Sequence, residues 1–195
     1  MAKVLVTGSN GFIGSHLVRA LLEHGDEVRC LVRHTSDISS LRGLPVAIFI
    51  GDVREPGTLI EPLKDVEYVY HLAAETMVTS RQAFEESIAQ GTKNMLEAAR
   101  DHAVTSLKRF LHVSSQAAAG PADDPEPIDE TVQPNPISWY GSAKKQSENI
   151  VKSFSDILPV TIVRPSSVYG PCEREISQVY PSVENRVQPK LGLLK

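Results

Sequence analysis

"VLVTGSNGFIGSHL", residues 4–17, joins a β-branched run to a helical apolar pattern through three glycines, Gly8, Gly11 and Gly14. A strand that ends in such a turn and opens straight into a helix suits one purpose well. Gly8 permits the sharp turn, Gly11 lets backbone approach a pyrophosphate, and Gly14 lets the helix lie close on the strand. The helix start then faces the phosphates with open N–H groups and a partial positive charge, and Asn10, Phe12 and Ile13 line the same turn. The plainer alternative is a strand-to-helix connection that needs glycine for geometry alone. Beyond the turn, Phe12, Ile13, Leu17, Ala20, Leu21 and Leu22 recur at helical spacing and Gly25 stops the helix.

Working outward, short β-branched runs alternate with helical stretches, the pattern of repeated strand-helix units on a parallel sheet. Strands are expected at 3–7, 27–32, 46–50, 67–73, 109–114 and 160–165. Each is apolar enough to be covered by helices on both faces. The longest helical stretch is expected from about Gln82 to Ala103. The segment 120–136 is dense in proline and acidic residues and reads as a long surface loop. The fold class is therefore α/β, a Rossmann-type doubly wound parallel sheet. All six expected strands fall within residues 1–171.

Composition narrows the partners. The 195 residues carry a net charge of −4, with lysine and arginine scattered along the chain, so no basic footprint for nucleic acid exists. No apolar run has the roughly 20 residues needed to cross a bilayer, and "MAKVLVTG" lacks the build of a signal peptide. A cytoplasmic protein with a small-molecule substrate and no membrane partner is expected. Cys30 and Cys172 stand in no metal-ligand or disulfide spacing, so no metal site is expected.

Further candidates sit at strand ends, where ligands bind in doubly wound folds. Arg33 stands after the second strand, where an acid would select NAD and an arginine accommodates a 2′-phosphate; NADP is the expectation and NAD the alternative. The competing reading of Arg33 is a solvated side chain. Asp52, in "GDV" (51–53) beside Val53, is placed to accept from an adenine amino group or to cap a following helix. Leu72, Ala73 and Ala74 let backbone come near a cofactor, or simply pack tightly. His71 and His112 lie in buried strands and read as satisfied core residues. Trp139 lines a cleft or plugs the core.

"YGSAK", residues 140–144, puts Tyr140 and Lys144 on one helix face. A phenol is a poor base at neutral pH, and an adjacent ammonium stabilises the phenolate. Ser114 or Ser115 would donate a hydrogen bond to the same substrate oxygen. The bland reading is an amphipathic tyrosine beside a solvated lysine, and the adjoining Lys145 favours it.

Taken in order, "TGSNGFIG" (7–14), "GDV", "HLAA" (71–74), "VSS" (113–115), "YGSAK" and "RPSSVYGP" (164–171) resemble the extended short-chain dehydrogenases/reductases. Within that family the chain looks most like the NAD-dependent epimerase/dehydratase branch, with dihydroflavonol reductases and 3β-hydroxysteroid dehydrogenases as relatives. The resemblance implies an acid/base role for Tyr140, a ribose-binding role for Lys144, and a catalytic donor in Ser115. It implies that Ser114, Pro165, Ser166 and Val168 line the cofactor, and that the protein is a homodimer. The implied activity is that of a nucleotide-sugar epimerase or dehydratase. The alternatives are an NADPH-dependent ketone reductase or a non-catalytic dinucleotide-binding module.

Three departures qualify the resemblance. Ile88 stands where the family often has asparagine, "AAG" (118–120) replaces a frequent "VYG", and members of the family continue well past the "RPSSVYGP" stretch, so the resemblance implies that 1–171 are the NAD(P)-binding Rossmann domain and 172–195 the start of a truncated or incomplete substrate-binding region.

Overall fold

A computed structural model describes residues 1–76, 78–122 and 127–173. The side chains of β1 (Lys3–Thr7) show why the layers form. Val4 and Val6 join Val18, Leu21 and Val28 on one face, while Leu5 joins Val69, Leu96 and Phe110 on the other. Successive strand residues alternate faces, so a strand apolar at each position needs cover on both sides.

That cover comes from the alternating chain order. After β1 come α1 (Phe12–His24), β2 (Glu27–Val32), β3 (Ala47–Ile50), the short α2 (Ile60–Leu63) and β4 (Tyr68–His71). Then follow α3 (Arg81–Phe84), a π-helical turn (Glu85–Gln90), α4 (Gly91–His102), β5 (Arg109–Val113), α5 (Trp139–Ser153) and β6 (Val160–Val163). The sheet order is β3-β2-β1-β4-β5-β6, and neighbouring strands are parallel throughout. This is the Rossmann order, with its reversal between β1 and β4. α1 covers one face, and α2, α4 and α5 supply Leu63, Met95, Leu96 and Val151 to the other.

The six expected strands form within a residue or two of their predicted ends, and α1 stops at Gly25, whose φ of 91° is left-handed. Two features differ from the sequence reading. β3 is a sheet edge, and Ala47, Ile48 and Ile50 are exposed, so it is not covered on both faces. An edge strand pairs on one side only, and apolar composition does not reveal position in the sheet. The long helix expected from Gln82 is interrupted by the π turn over Glu85–Gln90. Where the regular helix resumes, a Cβ on Gly91 would lie 2.7 Å from Val53 Cγ2, so close passage against the β3 loop sets its path.

The described part of segment 120–136 holds neither helix nor strand. Its base is closed by Asn135 N donating to Ala119 O at 2.7 Å, and Lys145 Nζ donates to Pro134 O at 2.7 Å. Lys145 thus anchors the loop. Residues 123–126 of the loop, and 174–195 of the expected substrate-binding region, lie outside the described residues.

α1 approaches the end of β1 most closely at Gly14, where a Cβ would fall 2.1 Å from Gly8 O. Gly14→Ala must therefore push α1 away from β1. It should cost about 1–3 kcal/mol of stability, as overpacking does, measured by urea unfolding. A Gly25→Ala change, where nothing lies within 4 Å, carries only its left-handed φ penalty of about 1 kcal/mol.

Candidate functional site

A cleft of about 1200 Å³ runs along the carboxyl ends of the strands. Every side chain or glycine singled out above for catalysis or cofactor binding borders it: the turn at 8–14, Arg33, Asp52, Val53, Leu72, Ala73, Ala74, Ser114, Ser115, Tyr140, Lys144, Pro165, Ser166 and Val168.

The glycine turn is built as its spacing suggests. Gly8 has φ +68°, and a Cβ there would lie 2.9 Å from the Leu72 carbonyl carbon. Gly11 caps α1 without a side-chain hydrogen bond. A helix start without a side-chain cap offers its first N–H groups to an anion. Below it, Thr7 Oγ1 accepts from Ala73 N at 3.1 Å and contacts His71 Nδ1 at 2.8 Å. The other ring nitrogen of His71, Nε2, is hydrogen-bonded with Thr92 Oγ1 at 3.1 Å, so both ring nitrogens have a hydroxyl partner. This chain ties the end of β1 to the "HLAA" turn. Cleft, open helix start and close backbone together fit a dinucleotide pyrophosphate.

The end of the cleft beyond β2 and β3 is charged. Arg33 forms an ion pair with Glu75, and Arg54 Nη2 pairs with Asp52 Oδ2 at 2.6 Å. The hydrogen bond from Arg54 holds the Asp52 carboxyl below its usual range, against the opposing effect of burial. Asp52 Oδ1 also accepts from Arg54 N at 2.9 Å, so it closes a local turn; the 3₁₀ turn Pro56–Leu59 has no side-chain cap. Glu75 and Arg54 were not identified from sequence. The signal for Glu75 was only its place directly after "HLAA".

At the opposite end, Ser138 caps α5 by accepting from Gly141 N at 3.0 Å. A Cβ on Gly141 would sit 2.3 Å from Ala117 O, so the first turn of α5 lies directly on the 3₁₀ turn that follows Ser115. That contact brings Tyr140 and Ser115 to one place. Gly141 was also missed, although a glycine inside the first turn of a helix is an unusual choice. Ser115 Oγ accepts from Ala117 N at 3.1 Å, which orients the hydroxyl and leaves its proton available to donate. Lys144 is buried and its Nζ donates to Val113 O at 2.7 Å; the ammonium stands 5.8 Å from the Tyr140 ring centre. Burial lowers the Lys144 pKa to about 8, against the upward pull of Glu148. Tyr140 packs edge-on against Phe84 at 6.0 Å, beside buried Ile88.

The hydroxyl of Ser114 donates to Glu148 Oε1 at 2.6 Å, and Arg164 grips both oxygens of the same carboxylate. Burial raises the Glu148 pKa, but the Arg164 and Ser114 bonds outweigh it and the net shift is downward. Ser114 borders the cleft with its hydroxyl committed elsewhere. Trp139 is 55% exposed at the start of α5, which excludes the core-plug reading, and it does not border the cleft. His71 and His112 are buried and stacked at 5.5 Å. Because Ser147 Oγ donates to Lys144 O, His112 Nε2 donates to Ser147 Oγ, at 2.8 Å. Both rings are core groups; His71 has both nitrogens partnered, as expected, whereas His112 Nδ1 is buried without a hydrogen-bond partner. Among the described residues no cluster of three acidic, histidine or cysteine side chains could hold a metal ion, and no helix is long and apolar enough to cross a membrane.

Comparison with known proteins gives a consistent picture. The model of the NAD dependent epimerase/dehydratase family matches residues 4–193. The chain is 36% identical over 174 residues to sterol demethylase protein B of Methylococcus capsulatus, covering 86% of this chain and 52% of that protein. It is 32% identical over 172 residues to the ceramide reductase of Caulobacter vibrioides, covering 88% and 48%. The crystal structure of the dTDP-glucose 4,6-dehydratase DesIV from Streptomyces venezuelae, with NAD and TYD bound, superposes with a TM-score of 0.84 at 29% identity, over 94% of this chain and 62% of that one. The chain thus spans about half the length of the curated relatives it matches.

The stacked histidines generate a prediction. Burial lowers His71 to about 3 and His112 to about 2, from an ordinary value of 6.5. The unfolded chain takes up these protons first, so stability is intact above pH 6.5 and is lost as pH falls toward the folded values. Denaturant unfolding should show stability declining from pH 6.5 to about 4.5, before most carboxylates titrate. His112→Gln should flatten that decline; an unchanged slope would show that the ring at 112 is not its source.

Proposed function

The chain belongs to the NAD dependent epimerase/dehydratase family, and from that premise we propose that it is the dinucleotide-binding portion of an NAD(P)-dependent oxidoreductase. Residues 1–171 are the NAD(P)-binding domain in this proposal, and 172–195 begin the substrate-binding region. One observation carries the reading: the glycine turn and the Ser115, Tyr140 and Lys144 side chains border a single cleft.

The nicotinamide supplies a hydride acceptor or donor at C4 when bound. The residues of the chain manage the proton. Tyr140 gives or takes it at the substrate oxygen, and Ser115, oriented by accepting from Ala117 N, donates a hydrogen bond to that oxygen. Lys144, held by Val113 O, places positive charge 5.8 Å from the Tyr140 ring and favours its phenolate form. The roles of Gly8, Gly11 and the α1 N-terminus are to hold the pyrophosphate. Arg33 stands where a 2′-phosphate would be read, so NADP is the cofactor proposed, with NAD as the alternative because Glu75 already holds that guanidinium. A cytoplasmic homodimer completes the reading.

The substrate class proposed first is a nucleotide sugar, handled by an epimerase or dehydratase, in line with the likeness to DesIV. A second reading, an NADPH-dependent ketone reductase, is favoured by the 32% identity to a ceramide reductase and by the small residues Ala118, Ala119 and Gly120 beside Ser115. Net consumption of NADPH identifies the reductase; recycling within each turnover identifies the epimerase or dehydratase.

Tyr140→Phe should reduce turnover by about 10²–10⁴-fold and leave dinucleotide affinity nearly unchanged, measured by steady-state kinetics and calorimetry. Full activity in that variant would sink the mechanism. Dinucleotide binding without hydride exchange to any carbonyl compound would identify a non-catalytic binding module.

A further inference from the structure

Four charged side chains from three strand-end loops meet at the end of the cleft that adjoins β2 and β3. Arg33 follows β2, Asp52 and Arg54 follow β3, and Glu75 follows β4. They form two ion pairs, Arg33 with Glu75 and Arg54 with Asp52, all bordering the cleft. The pairs also feel each other: Asp52 senses the charge of Arg33, and Arg54 that of Glu75. The formal charge of the four sums to zero.

The geometry of the Arg33–Glu75 pair is distinctive. β2 and β4 flank β1 on opposite sides in the sheet, so this pair links loops on either side of the glycine turn. An arginine after the second strand can receive a 2′-phosphate only with its guanidinium free to turn to it. Here that guanidinium already holds a carboxylate. The pair is half-open to water, with side-chain exposures of 47% and 27%, so it is weak enough to be exchanged. A phosphate that takes Arg33 leaves Glu75 as an unpaired anion beside it, and like charges at short range repel. A ribose carrying a 2′-hydroxyl asks for no such exchange.

We infer that Glu75, acting through Arg33, is a specificity-determining residue that sets the discrimination between a 2′-phosphate and a 2′-hydroxyl on the bound dinucleotide. This rests on the dinucleotide-binding reading above and adds a determinant on the β4 loop to the one after β2. Glu75 disfavours the phosphate twice, by occupying its cation and by remaining close once displaced. Neutralising Glu75 leaves Arg33 as an open cation and shifts the balance toward the phosphorylated cofactor.

The test is calorimetric titration of NADPH and NADH against the chain and its Glu75→Gln, Arg33→Gln and double variants, with folding of each checked by circular dichroism. Glu75→Gln should raise the NADPH-to-NADH affinity ratio by about tenfold, the scale of one charge-assisted contact. Arg33→Gln should lower that ratio, and Glu75→Gln made in the Arg33→Gln background should raise it by clearly less than in the unsubstituted chain, because only the direct repulsion is then relieved. An unaltered ratio in Glu75→Gln overturns the inference, as does an equal rise with and without Arg33, which would mean direct repulsion alone. Failure of the unsubstituted chain to bind either dinucleotide overturns the proposed function itself, an outcome distinct from binding with an insensitive ratio.

Discussion

The absence of one methyl group at Gly14 sets the distance between α1 and β1. A Cβ there would lie 2.1 Å from Gly8 O, so only glycine lets the helix start on the carbonyl of the preceding turn. Gly8 in turn lies against the Leu72 carbonyl, which ties that turn to the end of β4. Three chain segments therefore converge on one backbone contact. The cleft exists because these strand ends are brought level while the chain reverses sheet direction between β1 and β4. A second contact of the same kind, Gly141 on Ala117 O, fixes the other end. Both ends of the cleft are thus set by backbone against backbone, where a side chain would hold them apart.

Beneath the cleft lies a buried polar layer that works because it is neutral. Thr7, His71 and Thr92 form one chain of hydrogen bonds, and His112 and Ser147 another. Neutral imidazoles satisfy buried hydroxyls at little electrostatic cost, whereas an imidazolium would stand close to Lys144, whose charge already lowers both histidines after burial. Among the described residues the buried carboxylate is Glu148, and it is bracketed by Arg164 and Ser114. Removing Arg164 would strand it, a loss larger than the pair itself contributes.

The parts of this structure legible in sequence are those decided by neighbours along the chain. Strand runs, the glycine turn, the stop at Gly25 and the shared face of Tyr140 and Lys144 all follow from spacing, and the structure forms each of them. What the sequence did not show is decided across the fold. Arg33 looked like an open cation because its partner, Glu75, lies 42 residues away on another loop. Ser114 looked equivalent to Ser115 until Glu148, 34 residues on, took its hydroxyl. The π turn over Glu85–Gln90 has helical composition and a non-helical hydrogen-bond step, which periodicity does not detect. β3 has the composition of an inner strand and the position of an edge.

The two ends of the cleft differ in their disposition of charge. Arg33 and Arg54 each hold a carboxylate, so that end presents no net charge. Lys144 instead donates to a carbonyl, Val113 O, and keeps its full charge in a buried place where screening by water is weak. A backbone carbonyl orients the ammonium without cancelling its charge, as the proposed action on the Tyr140 phenol requires. The cost is a pKa lowered to about 8, so the ammonium remains the main form at neutral pH but not far above it. A site that needs Lys144 charged therefore loses that charge on the alkaline side sooner than a surface lysine would, which ties the upper pH limit of the Tyr140 end to the burial of one side chain.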